Sequence, residues 1–391
     1  MAEPEKEKNM HSTLEKETVV AKIHGIRLGK QACMILISLV VLMLMLTKLD
    51  AEEASSQTAS SLLGALQFPT TLDFCEERVP LEKQVVRERF EKEFLLSLWD
   101  RPQVILWLKR SRRYLPIIES ALMKKGLPQD LKYVALAESA LRPHVSSTKG
   151  AVGFWQFMAP TGRTYGLIIN RYRDERRNII TATEAAIRYF ETLHKRFGSW
   201  TLAAAAFNCG EYGLAADIEE QDVHNYYDLY LPMETERYIF RVLSAKLILS
   251  DPEKYGFHLD DGDYYPPIEA DEVSFQVPKE IPITIVAKSA QTHFKVIKGL
   301  NPELRGTFMP KGRYRILVPK GSAKEFQKRY RSLSAAWQKE EGSRVYTVEE
   351  GDNLSTIADR FGVSTGTLIR LNDLDLRRPI HPGDRLTIPQ K

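Results

Sequence analysis

Cysteine is scarce: the 391 residues hold three, with no Cys-x-x-Cys pair. That excludes a disulfide-stapled scaffold and the cysteine-rich zinc modules. The eight histidines never fall into His-Glu-x-x-His or another ligand spacing, so neither a metal nor a cofactor is expected. A surplus of one charge is also missing. Lys plus Arg number 55 against 51 Asp plus Glu, a formal +4 that gives no support for a nucleic-acid polyelectrolyte binder. Long apolar runs are almost absent too. The one exception, Gln31 to Thr47, carries no charge over 17 positions, just enough helix for a bilayer core of about 30 Å.

What is present is length and organisation. At about 150 residues per domain the chain predicts two or three domains, each able to bury a core. Residues 31–48 read as a transmembrane anchor behind a tail of residues 1–30; a cleaved signal peptide is the competing reading, but small residues do not occupy the cleavage positions near Asp50. Cys33 opens the apolar run instead of closing it, so a lipid anchor is not expected. Lys22, Arg27 and Lys30 precede the run, whereas Asp50, Glu52 and Glu53 follow it. By the positive-inside rule the rest of the chain is exported, in a bacterium with an outer membrane to the periplasm. Residues 49–80 begin as a small, polar, acidic tether.

From residue 81 to 258 the apolar spacing is helical, as in Val85, Phe90, Phe94 and Leu98, with Pro102, Pro128, Pro160 and Pro232 at boundaries. A Pro-, Gly- and Asp-rich linker follows. Then a segment recurs at an offset of 71 residues: Ala287 and Leu300-Asn301 in the first copy (270–320) match Ala358 and Leu371-Asn372 in the second (345–391). Each copy reads strand, helix, helix, strand. Ala323 to Gln338 reads as a helical spacer between them. The fold class expected is mainly α, with two small α+β modules.

Chemistry is suggested first by one helix. Leu127, Leu131, Val134, Glu138 and Leu141 share a face, so a carboxylate occupies a slot on an apolar stripe. Such a glutamate is either a paired structural group or a general acid whose pKa is raised by desolvation. Downstream, Lys149 to Phe157 is a glycine-punctuated turn with adjacent aromatics and an amide, parts that suit either a sugar site or a core.

Taken in order, Glu138-Ser139, Gly153-Phe154-Trp155-Gln156, Thr161 to Leu167, Ala206-Phe207-Asn208-Cys209-Gly210 and Glu234 to Tyr238 resemble the motifs of the soluble-lytic-transglycosylase catalytic domain, a goose-lysozyme-like fold. The resemblance spans roughly Leu115 to Tyr255. It implies Glu138 as the single catalytic acid and base, with Ser139, Phe154, Trp155, Gln156, Asn208 and Tyr238 in substrate binding and the Tyr238 hydroxyl aimed at the carboxyl. The family usually has Tyr where this chain has Phe207, which implies one hydroxyl fewer beside the acid. A Cys75–Cys209 bond is compatible with the periplasm, and nothing in the sequence decides it.

The second copy resembles a LysM module, through Val345 to Val348, Gly351-Asp352-Asn353-Leu354, Leu371-Asn372, Pro382-Gly383-Asp384 and Leu386 to Pro389. That implies an N-acetylglucosamine-chain groove at Gly351, Asp352, Asn353, Leu354 and Ser355 on one side and Ile380 and His381 on the other, with Leu371 and Asn372 as packing and capping residues. The first copy has Lys279-Glu280-Ile281 where Gly-Asp stands in the second, so sugar binding is not expected of it. The function implied is non-hydrolytic cleavage of peptidoglycan strands. Goose-type lysozyme and a non-catalytic peptidoglycan binder are the alternatives.

Overall fold

The computed structural model describes residues 68–340, 343–372, 374–375 and 378–389, with Met43 alone before them. The anchor expected over 31–48 therefore lies, Met43 apart, outside the described residues. No helix among the described residues is long and apolar enough to cross a membrane.

Helices dominate the first part, as the 3.6-residue apolar spacing requires. A short hairpin, β1 (Asp73–Phe74) and β2 (Glu77–Arg78), precedes α1 (Gln84–Trp99), whose buried Phe90 and Phe94 stack at 5.6 Å. The α2 helix (Arg101–Lys125) starts where the Asp100 carboxylate accepts from the Gln103 amide and Pro102 occupies the first turn, and it stops at left-handed Gly126. The hairpin caps a later helix. The Glu77 carboxylate accepts from the amides of Trp200 and Thr201 at 2.5 and 2.9 Å, at the start of α6 (Trp200–Cys209). That helix is Ala-rich, and Ala203 to Ala206 are fully buried, so it can run through the core against α5 (Ile179–Phe197) and α8 (Met233–Ser250). Between these lie α3 (Lys132–Ser139), α4 (Ala159–Thr164) and α7 (Glu211–Gln221).

The segment after α8 is laid along α2 instead of hanging free. The Tyr265 amide donates to Lys109 O at 2.9 Å, Arg113 donates to Pro266 O, and the Arg112 and Arg113 guanidiniums lie over Tyr264 and Tyr265.

The repeat is visible as two two-stranded antiparallel sheets. β3 (Ala270–Val277) pairs with β6 (Gly312–Pro319), Ala270 opposite Pro319, and β7 (Ser343–Thr347) pairs with β8 (Arg385–Pro389), Ser343 opposite Pro389. Each sheet is packed by two short helices: α9 (Ile283–Ser289) and α10 (Phe294–Leu300) in the first, after the small pair β4 (Ile281–Pro282) and β5 (Phe308–Met309) is counted, and α12 (Leu354–Phe361) and α13 (Thr365–Leu371) in the second. The asparagines of the repeat do the same work in both. Asn301 exchanges two hydrogen bonds with Leu317 at 2.8 and 2.7 Å, and Asn372 does so with Thr387 at 3.0 and 2.6 Å, each side-chain amide acting as one more rung of strand. The helix expected as a spacer, α11 (Phe326–Glu340), belongs to the first module. Buried Phe326 and Tyr330 pack on Phe275 at 5.4 and 4.7 Å between ring centroids, covering an apolar sheet face that would otherwise meet water.

Candidate active site

Glu138 lies one residue before the end of α3, which is entered through a turn of 3₁₀ helix at Gln129–Leu131. Its apolar neighbours Leu131, Val134 and Leu141 are fully buried, as the stripe requires, while Glu138 itself keeps partial access to solvent. The helix stops abruptly. Ala140 and Leu141 both adopt left-handed backbone, φ 52° and 56°, a conformation costly for residues with a Cβ and common where a site is being positioned.

Burial pushes the Glu138 carboxyl up to about 7; the hydrogen bond from Tyr238 and the Arg241 charge pull against that, and Glu234 adds to it. The Tyr238 hydroxyl donates to Glu138 Oε1 at 2.6 Å, the contact implied by the resemblance. The phenol is itself fully buried, and burial beside that carboxylate holds its pKa well above the ordinary value. One turn earlier on α8, Thr235 Oγ1 donates to Asn208 Oδ1 at 3.3 Å. Residues three apart share a helix face, so α8 holds Asn208 and Glu138 along one line. α8 is fixed in turn by an ion pair between Arg237, partly exposed, and buried Glu93 of α1 at 2.6 and 3.1 Å.

The turn from Gly150 to Phe157 supplies Gln156. Ser139 Oγ lies 2.7 Å from Phe154 O and 3.1 Å from Ala135 O, tying the end of α3 to this turn. Ser139 is buried, so its hydroxyl serves the backbone and does not face a substrate. Phe154 and Trp155, expected in sugar binding, are 2% and 0% exposed; Trp155 Nε1 donates to Thr183 Oγ1. Their rings are core, because the glycine-led turn folds them inward. Gln156 is the half-buried exception. Its backbone is left-handed (φ 48°), and its amide nitrogen donates to Gly153 O at 2.8 Å. Phe207 lies in an aromatic cluster, stacked on Phe190 at 4.8 Å and near Trp155, Phe157 and Tyr189. Cys75 and Cys209 are both free thiols, the first buried and the second exposed.

Arg241 escaped the sequence reading although its position was readable: it is three residues beyond Tyr238 on the same face and donates to Ala137 O at 3.3 Å. Arg176 gave no local signal. It anchors the turn from a distance, donating to Gly150 O and Phe157 O at 3.0 and 3.1 Å.

In the C-terminal module, Val348 bonds to Gly383 and Asp384, which sets the loop after β7 beside the loop before β8. Several residues expected to hold glycan there are occupied internally. Asp352 accepts from the Tyr346 hydroxyl and the Glu349 amide, and Asn353 caps α12 through the amides of Ser355 and Thr356. Leu354 and Ile380 pack on the small core. Gly351, Ser355 and His381 are exposed.

Replacing Tyr238 by Phe removes a bond that lowers the Glu138 pKa. The carboxyl should then titrate above about 7, so the alkaline limb of a kcat/KM–pH profile moves to higher pH. Turnover itself should fall by about 10- to 100-fold, the worth of a hydrogen bond to an ionised group. An unmoved limb would disconnect the phenol from the acid.

Three family models match the chain: the transglycosylase SLT domain over residues 116–229, the LysM-like domain of lytic transglycosylase MltD over 273–335 and the LysM domain over 346–389. Membrane-bound lytic murein transglycosylase D of Escherichia coli (strain K12) is 32% identical over 295 residues, 71% of this chain and 64% of that protein. The chain thus spans a little under two thirds of that relative's length. The 70 kDa soluble lytic transglycosylase of Escherichia coli aligns at a TM-score of 0.31 and 19% identity, covering 46% of this chain and 31% of that one. Residues 116–229 thus match the transglycosylase SLT domain, and two LysM-type matches follow it along the chain.

Proposed function

We propose that this chain is a peptidoglycan lytic transglycosylase, cleaving the β-1,4 bond between N-acetylmuramic acid and N-acetylglucosamine without water. The observation that carries the reading is Glu138: a carboxyl held protonated to about pH 7, partly open to solvent and hydrogen-bonded to Tyr238. In the first half of the reaction it donates its proton to the departing glycosidic oxygen, while the substrate's N-acetyl group stabilises the cation forming at the anomeric carbon. Tyr238 and Arg241 favour the carboxylate that results. In the second half that carboxylate takes the proton of the muramic acid 6-hydroxyl, whose oxygen closes on the anomeric carbon to give a 1,6-anhydro end. Protons and atoms balance with one carboxyl group.

Gln156 and Asn208 are assigned to holding the sugar beside it. Three further acids of this part of the chain are committed elsewhere: Asp174 to Arg176 at 2.8 Å, Glu175 to Arg173 at 2.8 Å, and Glu211 near Arg196 at 4.0 Å. Glu234 favours one second reading. It is exposed and close enough to raise the Glu138 pKa, so a goose-type lysozyme could use it to activate water. Mass spectrometry of fragments released from purified murein separates the two. The expected products end in 1,6-anhydromuramic acid, and reducing muramic acid ends would replace the proposal with hydrolysis.

The C-terminal LysM module, through the loops at 351–355 and 380–381, is assigned to raising the local concentration of glycan strand. A single-pass anchor at 31–48 would hold these domains on the periplasmic face of the inner membrane; the flanking charges support this, as does the description of the Escherichia coli relative as membrane-bound.

A further inference from the structure

The first LysM-type module lacks the Gly-Asp helix start of the second, yet it is bonded to the SLT domain by its backbone. Leu304 forms an antiparallel bridge with Arg173, the Asp174 amide donates to Glu303 O at 2.9 Å, and the Arg305 amide donates to Tyr172 O at 2.7 Å. Glu303 and Leu304 are each 3% exposed, so these two residues of the joint are buried. The Arg173 guanidinium also lies over the Tyr314 ring of β6, 5.5 Å from its centroid.

From this joint a short series of contacts leads to the acid. Asp174, 1% exposed, has its amide held by the module and its carboxylate held by Arg176 at 2.8 and 2.9 Å. Arg176, also buried, directs Nη1 to Gly150 O and Phe157 O, the two ends of the turn that carries Gln156. Midway along that turn Gly153 is pressed against the Arg176 carbonyl, where a Cβ would lie 1.8 Å from the oxygen. The turn finally meets the end of α3 through Ser139 and Phe154 O. A planar guanidinium bound to a carboxylate on one edge and two carbonyls on the other has little freedom to tilt, so the position of residue 174 sets the position of the turn.

We infer that the MltD-type LysM-like module is a working part of the catalytic domain: residues 303–305 brace Asp174 and Arg176, which act as positioning residues for the Gly150–Phe157 turn beside Glu138. The inference rests on the transglycosylase reading for its catalytic consequence, but its structural content is read without activity. Displacing a substrate-holding group by about 1 Å can cost on the order of 100-fold in rate; loosening the brace is a milder insult, expected to cost about 3- to 10-fold.

The test uses the full-length chain with two variants that break the series at opposite ends. Leu304→Ala loosens the joint from the module. Arg176→Lys keeps a positive charge for Asp174 and loses the fork that reaches both carbonyls. Hydrogen–deuterium exchange by mass spectrometry should show peptides spanning 150–157 exchanging about 10-fold faster in both variants, with α1 and α8 unchanged. On a short soluble glycan kcat should fall about 3- to 10-fold with KM within twofold and the alkaline pH limb in place. Wild-type exchange in the turn of both variants would overturn the inference. Faster exchange in Arg176→Lys alone would overturn the module's part in it. An inactive wild type would sink the transglycosylase reading and leave the exchange result standing.

Discussion

Glu138→Gln is expected to reduce release of murein fragments by about 10² to 10⁴-fold or more, the range for general acid–base catalysis, because in the proposed mechanism one carboxyl serves both halves of the reaction. The protein should stay folded, since glutamine keeps the shape and its carbonyl can accept the Tyr238 hydroxyl. Stability should change with pH in a defined direction. The folded chain holds the Glu138 proton up to about pH 7, while an unfolded glutamate releases it near 4.5. Between these values the folded state binds more protons than the unfolded one, so stability falls as pH rises through the window. Glutamine does not titrate. The variant should match the wild type in Tm near pH 4 and melt higher at pH 8, where its stability exceeds that of the wild type by an amount on the order of 1–3 kcal/mol. Thermal melts at the two pH values, beside a turnover assay, check both halves. Appreciable turnover in the folded variant would return Glu138 to the role of a paired structural glutamate.

Glu138 stood out because periodicity exposes a misfit: four apolar residues and one carboxylate on a single helical face leave a paired structural group or a general acid, and only the family resemblance chose between them. The repeat was legible for a similar reason, with Asn301 and Asn372 at one offset making the same rung beside the second strand. Residue type alone did not tell which side chains face the substrate. Phe154 and Trp155 have the flat apolar faces a pyranose ring would want, but the same faces suit a core, and the turn buries them. Asp352 and Asn353 likewise serve their own loop first, through a tyrosine hydroxyl and a helix cap. Beyond the Tyr238–Glu138 pair that the resemblance implied, contacts between distant segments were illegible. Nothing near Asp174 or Arg176 in the sequence announces that the first meets Glu303 and the second meets Gly150, because those pairings exist only once both domains have folded.

Gly153→Ala should be among the most damaging single changes in the chain, and Gly150→Ala provides its control. Both glycines have left-handed backbone, φ 83° and 90°, so both substitutions carry the conformational penalty of placing a Cβ there, about 1–2 kcal/mol. They differ in surroundings. A Cβ at Gly150 would meet nothing within 4 Å. At Gly153 it would lie 1.8 Å from the Arg176 oxygen and 2.5 Å from its carbonyl carbon, which are backbone atoms that no rotamer change can move. Relief requires displacing either the turn or the Asp174–Arg176 segment, and with it the bonds to Gly150, Phe157 and the LysM-like module. A total cost of 4 kcal/mol or more is then expected. For a domain of this size that corresponds to a fall in Tm on the order of 10 °C, against a few degrees for Gly150→Ala. Whatever fraction of Gly153→Ala remains folded should turn over murein about 100-fold more slowly, since Gln156 moves with the turn. Calorimetry and turnover on both variants decide the point, and equal behaviour of the two alanines would mean that the turn does not rest on the Arg176 backbone.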